Sequence, residues 1–140
     1  MLDSPARPAV ASEPHYRTAP HNIEAEQALL GAILVNNEAF YRVSDFLQPR
    51  HFFDPVHTAV YETSGALIRA GKVATPVTLK TFLPAELDIG GLTAPQYLAR
   101  LAAEATTIIN AEDYGRTIYD LAVRRDLISI GEEVVNEAFD

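Results

Sequence analysis

The sequence predicts an all-α protein: a six-helix globular head followed by the first arm of a long helical hairpin, the last of the six helices being that arm. Three observations support this fold class. Apolar residues recur at three- and four-residue steps, no segment alternates apolar and polar residues convincingly, and a capping residue precedes most apolar segments. We therefore expect a flexible tail over residues 1–20, a helical head over 21–108 and the arm over 109–140.

The first 20 residues have the composition of a flexible tail. They contain four of the nine prolines of the chain and show no apolar periodicity. Proline lacks a backbone donor and favours extended conformers, so a regular helix is not expected here. The two basic and two acidic residues of the tail cancel, and the net charge of −8 therefore belongs to residues 21–140.

Capping residues mark where the helices of the head begin. Short polar side chains accept hydrogen bonds from the free amides of a first turn, and proline fits the first helical position because it has no amide. Asp54-Pro55 and Thr75-Pro76 show this pairing, while Pro49 ends the helix that precedes it. The predicted helices of the head cover residues 22–36, 37–47, 54–71, 75–83 and 93–105.

Several positions in the head carry specific expectations. Gly31 interrupts the apolar face of the first helix, at a cost of about 1 kcal/mol relative to alanine, which indicates that another backbone packs closely there. Phe52 and Phe53 should fold inward, because an external loop does not normally carry an aromatic pair. Glu24 and Glu26 lie in the first turn of the first helix, where the positive end of the helix dipole explains them.

The terminal helix, which begins at Asn110, is apolar on two sides and longer than the head is wide. Its roughly 29 residues make a rod of about 43 Å, while a body of about 90 residues is about 30 Å across. Part of the rod must extend beyond the head, where each exposed apolar side chain forfeits about 1.5–3 kcal/mol of burial. The predicted hairpin or subunit interface comprises one stripe of Tyr114, Ile118, Leu121, Ile128, Val135 and Phe139 and an opposite stripe of Val123, Leu127, Ile130 and Val134.

The same helix carries the only basic cluster of the chain, Arg116, Arg124 and Arg125. Two roles are open for these arginines. They can pair with acidic residues on neighbouring helical turns, or they can contact a partner across an interface, where arginine is enriched. The polar residues between the two stripes form two narrow seams, one of Asp113, Asp120 and Arg124 and the other of Asp126, Glu133 and Glu137.

The terminal helix has no stop signal at its end. Neither glycine nor proline lies near Phe139, and the last residues are acidic, which is the unfavourable sign for a helix C-terminus. We therefore expect the parent chain to continue beyond residue 140 into a second arm.

The sequence lacks the motif for nucleotide hydrolysis. A phosphate-binding loop needs a glycine-rich turn followed by lysine and a hydroxyl residue. At the only Gly-Lys pair, Gly71-Lys72, Val73 replaces the hydroxyl residue and Ala66 stands at the position of the first glycine. No serine or threonine has a nucleophile's partner at a recognisable spacing. We therefore expect no catalytic residue and no bound cofactor.

His51, Asp54 and His57 are the candidate metal ligands, because imidazole and carboxylate groups bind zinc or iron. Simpler roles are favoured for them, since Asp54 caps a helix and His57 lies in the first turn of that helix. The chain has no cysteine, which excludes a disulfide or a thiolate site. We expect no metal site.

Composition also bears on location and on nucleic-acid binding. The chain has 11 basic and 19 acidic residues, a balance that repels a phosphate backbone, so direct nucleic-acid binding is not expected. The longest apolar run, Ala32 to Val35, is far shorter than the roughly 20 residues of a membrane span, and the N-terminus lacks a secretion signal. The sequence predicts a cytoplasmic protein without membrane attachment.

Four stretches, in order along the chain, carry a family resemblance. They are IEAEQALLGAIL at 23–34, HFFDPVHTAVYE at 51–62, GGLTAPQYLARL at 90–101 and INAEDYGRTIYDLAVRRDLISIGEEV at 109–134. Together they resemble the N-terminal domain of the bacterial replicative DNA helicase, the DnaB family, over residues 20–140. The Thr75-Pro76 cap departs from the aspartate that this family more often has at that position, and the second arm of the hairpin is missing.

The resemblance implies a role in DNA replication. In that family the head is followed by a helical hairpin, hairpins pair between subunits, and a trimer of dimers forms a collar above a hexameric ATPase ring. The two apolar stripes would then be the face within the hairpin and the face between subunits. The implied partners are other copies of the chain, the helicase-binding domain of primase in the primosome and, in some systems, a helicase loader.

The resemblance also separates this chain from the activity of its parent. The parent would be an ATP-dependent DNA helicase that unwinds duplex DNA at the replication fork, with ATP and magnesium bound in a C-terminal domain outside this sequence. The chain itself would catalyse nothing. The alternatives are a helical dimeric transcriptional regulator or adaptor, for which a basic recognition helix is lacking, and a small metal-dependent hydrolase.

Overall fold

The computed structural model describes residues 18–84, 86–105 and 108–140. Within these ranges the chain forms six α-helices and three short 3-10 turns, and the only strand-like pairing is an isolated bridge between Ile89 and Leu92. The all-α prediction is confirmed, and the predicted tail lies outside the described residues except for 18–20. The helices are α1 (Ile23–Val35), α2 (Glu38–Tyr41), α3 (Pro55–Arg69), α4 (Pro76–Leu79), α5 (Ala94–Ala103) and α6 (Ala111–Phe139).

Helix α1 is the centre of the head. Its residues Leu29, Leu30 and Ile33 are fully buried, and helices α3, α5 and α6 all pack against it. Phe40 and Val60 belong to the same core. Burying a side chain of this size contributes about 1.5–3 kcal/mol, so α1 is the element on which the other helices are assembled.

The predicted capping residues begin the helices as expected. The Asn22 side chain accepts a hydrogen bond from the Ala25 amide at 2.9 Å, and Asp54 caps α3 in the same way. Thr75 and Thr93 each exchange hydrogen bonds with the residue three positions later, which satisfies two otherwise free amides at each helix start.

The predicted helix over residues 37–47 is wrong in extent, because α2 ends at Tyr41. Beyond that residue several amides bond to carbonyls three positions back, which describes tight turns. A tertiary contact accompanies the change. The Asn37 side chain bonds to the amide and the carbonyl of Ala74, at 3.0 and 2.9 Å, and the turns that follow bury Val43 completely.

Two further predictions about the head need correction. The helix predicted over 75–83 consists of the short α4 and a 3-10 turn over Lys80–Phe82, which ends just before Pro84, where helical geometry is disfavoured. The aromatic pair is divided: Phe52 is buried, whereas Phe53 is 38% exposed. The rule that aromatic rings fold inward holds for one ring only.

Gly31 lies where two helices approach closely, as predicted. A methyl group at this position would collide with the backbone carbonyl oxygen of Leu101, in α5. The backbone of α5 can yield less than a side chain could, and only glycine allows this distance between α1 and α5. Gly131, in the exposed part of α6, has no neighbouring atom within 4 Å of such a methyl group.

This contrast between two helical glycines gives a matched test. We expect Gly31→Ala to lower the free energy of unfolding by about 1–3 kcal/mol, because the core must shift to admit the methyl group. Gly131→Ala should raise it by up to about 1 kcal/mol, because alanine favours the helix and meets no obstacle. Urea denaturation of the two variants measures both effects, and a neutral Gly31→Ala would contradict the close approach.

Candidate interaction site

The first half of α6 packs on the head through small residues. Ala111, Gly115, Ile118 and Ala122 follow one another at three- and four-residue steps and are all buried. At Gly115 a methyl group would meet the side chain of Val43, so the helix lies very close to the turns after α2. Ile118 belongs to the predicted hairpin or subunit interface. Its side chain is 2% exposed within this chain, so it packs on the head.

From Asp126 onward every residue of α6 is exposed, and we call residues 126–140 the distal arm. Two other residues of the predicted interface, Tyr114 and Leu121, are half-buried. Phe139, at the end of the helix, is 86% exposed. The residues of the predicted interface that are exposed are Val123, Leu127, Ile128, Ile130, Val134, Val135 and Phe139.

The apolar residues of the distal arm form one broad face instead of two separate stripes. At about 100° per residue, the side of α6 that packs on the head continues outward through polar residues such as Ser129 and Asn136. The seam predicted from Arg124 and the acidic residues before it does not continue, because Gly131 and Ala138 occupy its positions in the distal arm. The two stripes therefore merge across these small residues, on the side away from the head.

Arg125 anchors α6 at the point where it leaves the head. Its guanidinium donates to the backbone carbonyls of Pro20, at 2.8 Å, and His51, at 2.7 Å. The same group lies 5.4 Å from the centre of the Phe53 ring, and the His21 ring stacks on Phe53 with 4.1 Å between the ring centres. Arg125 thus forms no intrahelical ion pair within the described residues, and two of its donors are used by backbone carbonyls of the same chain.

The other two arginines of the cluster are placed differently. Arg116 pairs with Glu112 one turn earlier, at 3.6 Å, and its guanidinium lies 3.8 Å from the centre of the Phe46 ring. Intrahelical pairing is one of the two open roles of the cluster, and Arg116 takes this role. Arg124 is exposed and forms no ion pair with any residue in the described ranges.

A buried polar network joins three elements of the head. Glu26 is 2% exposed and His57 is fully buried, and the Glu26 Oε1 atom lies 2.8 Å from His57 Nδ1. The Tyr97 hydroxyl lies 2.6 Å from His57 Nε2 and accepts from the Gln27 side chain at 3.1 Å. Glu26 also accepts the amide of Phe53 at 2.8 Å. Helices α1, α3 and α5 and the turn before α3 are tied together by these groups.

One arrangement of protons satisfies every member of this network. His57 donates from Nδ1 to the Glu26 carboxylate, which leaves Nε2 as an acceptor for the Tyr97 hydroxyl, and Tyr97 then accepts from Gln27. Burial raises the pKa of Tyr97, which keeps the hydroxyl protonated. The explanation of Glu26 by the helix dipole was therefore incomplete, because its partners come from residues about 30 positions away.

The candidate metal ligands have separate roles. Asp54 caps α3, His57 belongs to the buried network, and the His51 Nδ1 atom accepts the Gln48 amide at 2.9 Å. In the described part of the chain no three histidine or acidic side chains gather as a metal-binding group. None of the helices given above combines the length and the apolar composition that a bilayer crossing requires.

His51 makes the stability of the head depend on pH. Burial, reinforced by the neighbouring Arg50, lowers the pKa of the imidazole below its usual 6.5. The unfolded chain therefore binds a proton more readily than the folded chain, and stability falls as the pH drops below about 6.5. Protonation would also remove the acceptor of the Gln48 amide.

We expect His51→Asn to reduce this pH dependence. The asparagine oxygen can replace Nδ1 as an acceptor but does not titrate, so the variant should lose less free energy of unfolding between pH 7.5 and pH 5.5 than the original chain. Urea denaturation at several pH values measures the two slopes. Equal slopes would exclude His51 as the titrating group.

The anchor at Arg125 is testable with its exposed neighbour as the control. Arg125→Ala removes two hydrogen bonds from a charged donor, and we expect it to lower the free energy of unfolding by about 2–4 kcal/mol. Arg124→Ala should change it by less than about 0.5 kcal/mol, as is usual for an exposed side chain that forms no ion pair within the described ranges. Thermal and urea denaturation give both values, and similar losses in the two variants would contradict the anchor.

Comparison with known proteins places this chain in a family. The family model described as the DnaB-like helicase N terminal domain matches residues 18–120. A solved structure, the crystal structure of the N-terminal domain of DnaB helicase from Mycobacterium tuberculosis, superposes with a TM-score of 0.77 and 29% sequence identity, covering 88% of this chain and 89% of that chain. The all-helical fold is therefore shared.

Full-length relatives agree with this result. The chain is 47% identical to the replicative DNA helicase DnaB of Rickettsia typhi over 89% of its own length and 32% identical to that of Pasteurella multocida over 86%. The matches cover 25% and 26% of those proteins, so the chain spans about a quarter of their length. The alternatives of a transcriptional regulator and a metal-dependent hydrolase are set aside, and the chain belongs to the family of DnaB-like replicative helicase N-terminal domains.

Proposed function

We propose that this domain is the collar domain of a replicative DNA helicase and that it associates with other copies of itself through the distal arm. The exposed apolar face of that arm carries the proposal. Seven large apolar side chains of α6, from Val123 to Phe139, are between 39% and 86% exposed. An apolar face of this size on a helix held away from its own head is typical of an interaction surface.

The anchor of α6 supports the same proposal. Small residues and Arg125 hold the first half of the helix against the head, so the distal arm leaves the head in a defined direction. A surface presented in a fixed orientation loses less entropy on association than a mobile one. In the parent chain a second arm would cover part of the apolar face, and another subunit would cover the rest.

The activity of the parent and its partners are part of the proposal. The relatives that match this chain are named replicative DNA helicases, and unwinding requires hydrolysis of a nucleotide, which we propose to be ATP bound with magnesium. We propose that the parent unwinds duplex DNA in the same way, with the chemistry outside this domain, and that the collar docks the helicase-binding domain of primase and, where one exists, a helicase loader.

Charge substitutions in the distal arm test self-association. Leu127→Asp and Ile128→Asp each place a charge in the apolar face, and we expect either to weaken association at least about tenfold, since burying such a side chain contributes about 1.5–3 kcal/mol. Ser129→Asp adds the same charge on the polar side of the helix and should have little effect. Sedimentation velocity gives the three dissociation constants.

The same measurement should include a chain extended by about 40 residues of the parent, which supplies the second arm. We expect this longer chain to associate at least as strongly as the present one. If both chains are strictly monomeric at high concentration, self-association through the arm is wrong.

A further inference from the structure

A second exposed apolar surface lies on the head, in the segment that includes α4. Val73, Val77 and Phe82 are 61%, 67% and 59% exposed. Lys72 and Lys80, the only lysines of the chain, are exposed beside them. We call these five residues the lysine patch. Apolar side chains bordered by basic ones are typical of surfaces that bind an acidic, partly apolar partner.

The lysine patch is attached firmly to the head. Ala74 and Leu79 are fully buried on the inner side of the segment, and the Asn37 side chain bonds to both backbone groups of Ala74. The Thr78 hydroxyl donates to the Val73 carbonyl at 2.9 Å, which closes the cap of α4. The patch is therefore formed before any partner arrives.

Charge is segregated between the lysine patch and the distal arm. Residues 69–84 contain three basic residues and no acidic one, and residues 126–140 contain five acidic residues and no basic one. At helical spacing, Glu133 and Glu137 border the apolar Ile130 and Val134 along one edge of the distal arm. This edge therefore offers two carboxylates and two apolar side chains, which complement two lysines and the apolar residues beside them.

An assembly larger than a pair needs a contact besides the pairing of the arms. Two copies that pair their arms by the same surface form an isologous contact, which closes at two subunits. A contact between the arm of one copy and the head of another is one way to join such pairs. The lysine patch is an exposed apolar surface whose charge is opposite to that of the arm.

We propose that the edge of the distal arm formed by Ile130, Glu133, Val134 and Glu137 docks on the lysine patch of a second copy. This inference rests on the proposed self-association, to which it adds a contact between the arm of one copy and the head of another. The carboxylates of Glu133 and Glu137 meet Lys72 and Lys80, while the apolar side chains of both surfaces are buried between them. The contact weakens as salt is added, because its charges lie at the rim.

Disulfide cross-linking tests this contact directly, because the chain has no cysteine of its own. We mix a Lys80→Cys chain with a mass-tagged Glu137→Cys chain under oxidised and reduced glutathione and follow the heterodimer by mass spectrometry. Arg100→Cys, at an exposed position on α5, replaces Lys80→Cys in the control. We expect the first pair to cross-link at least about tenfold faster than the control pair, because docking raises the effective concentration of the thiols. The ratio of the two rates should be smaller in 1 M salt.

An Ile128→Cys chain separates the possible results. If Ile128→Cys forms homodimers readily while the Lys80→Cys pair cross-links no faster than the control, the docking of arm on head is wrong and self-association stands. If neither cross-links above the control, both proposals are wrong. Lys72 and Glu133 keep their charges in the Lys80→Cys and Glu137→Cys pair, so fast cross-linking that is insensitive to salt would also contradict the docking.

Discussion

The first half of α6 is held by the head and the second half is not, and this division is the constraint on which the rest of the molecule depends. Small residues at Ala111, Gly115 and Ala122 let the helix approach the head closely, and Arg125 ends the contact. Beyond that point the side of the helix that faced the head becomes polar and the opposite side becomes apolar. The same helix is thus part of the core of the head and the support of an exposed surface.

Two sets of polar contacts hold the helices of the head in place. The buried network of Glu26, His57 and Tyr97 ties α1, α3 and α5 to one another. Each polar side-chain atom of these three residues has a hydrogen-bond partner. Arg125 ties the start of the described chain and the turn at His51 to α6. Buried charges are costly when unpaired, so each network favours a single arrangement of the elements that it joins.

Rigidity of this kind suits the proposed role of the domain, in which its exposed surfaces contact other copies. The apolar face of the distal arm is presented at a fixed angle, and the lysine patch is held by buried neighbours on its inner side. Domains that assemble into rings need surfaces whose relative orientation does not vary, because a small angular error at each contact prevents closure. The packing of glycines against neighbouring elements, at Gly31 and Gly115, contributes to this orientation.

Local patterns in the sequence were enough to determine the fold class, the starts of the main helices, the close approach at Gly31, the family and the overhang of the terminal helix. The fold class, the helix starts and the close approach at Gly31 depend on local spacing along the chain, and the overhang depends on length alone. The family resemblance is carried by four stretches in order along the chain. The tertiary structure decided the roles of Glu26 and Arg125, the exposure of Phe53 and the early end of α2. Contacts between residues up to 105 positions apart determine these features, as between Arg125 and Pro20, and helical periodicity carries no information about such contacts.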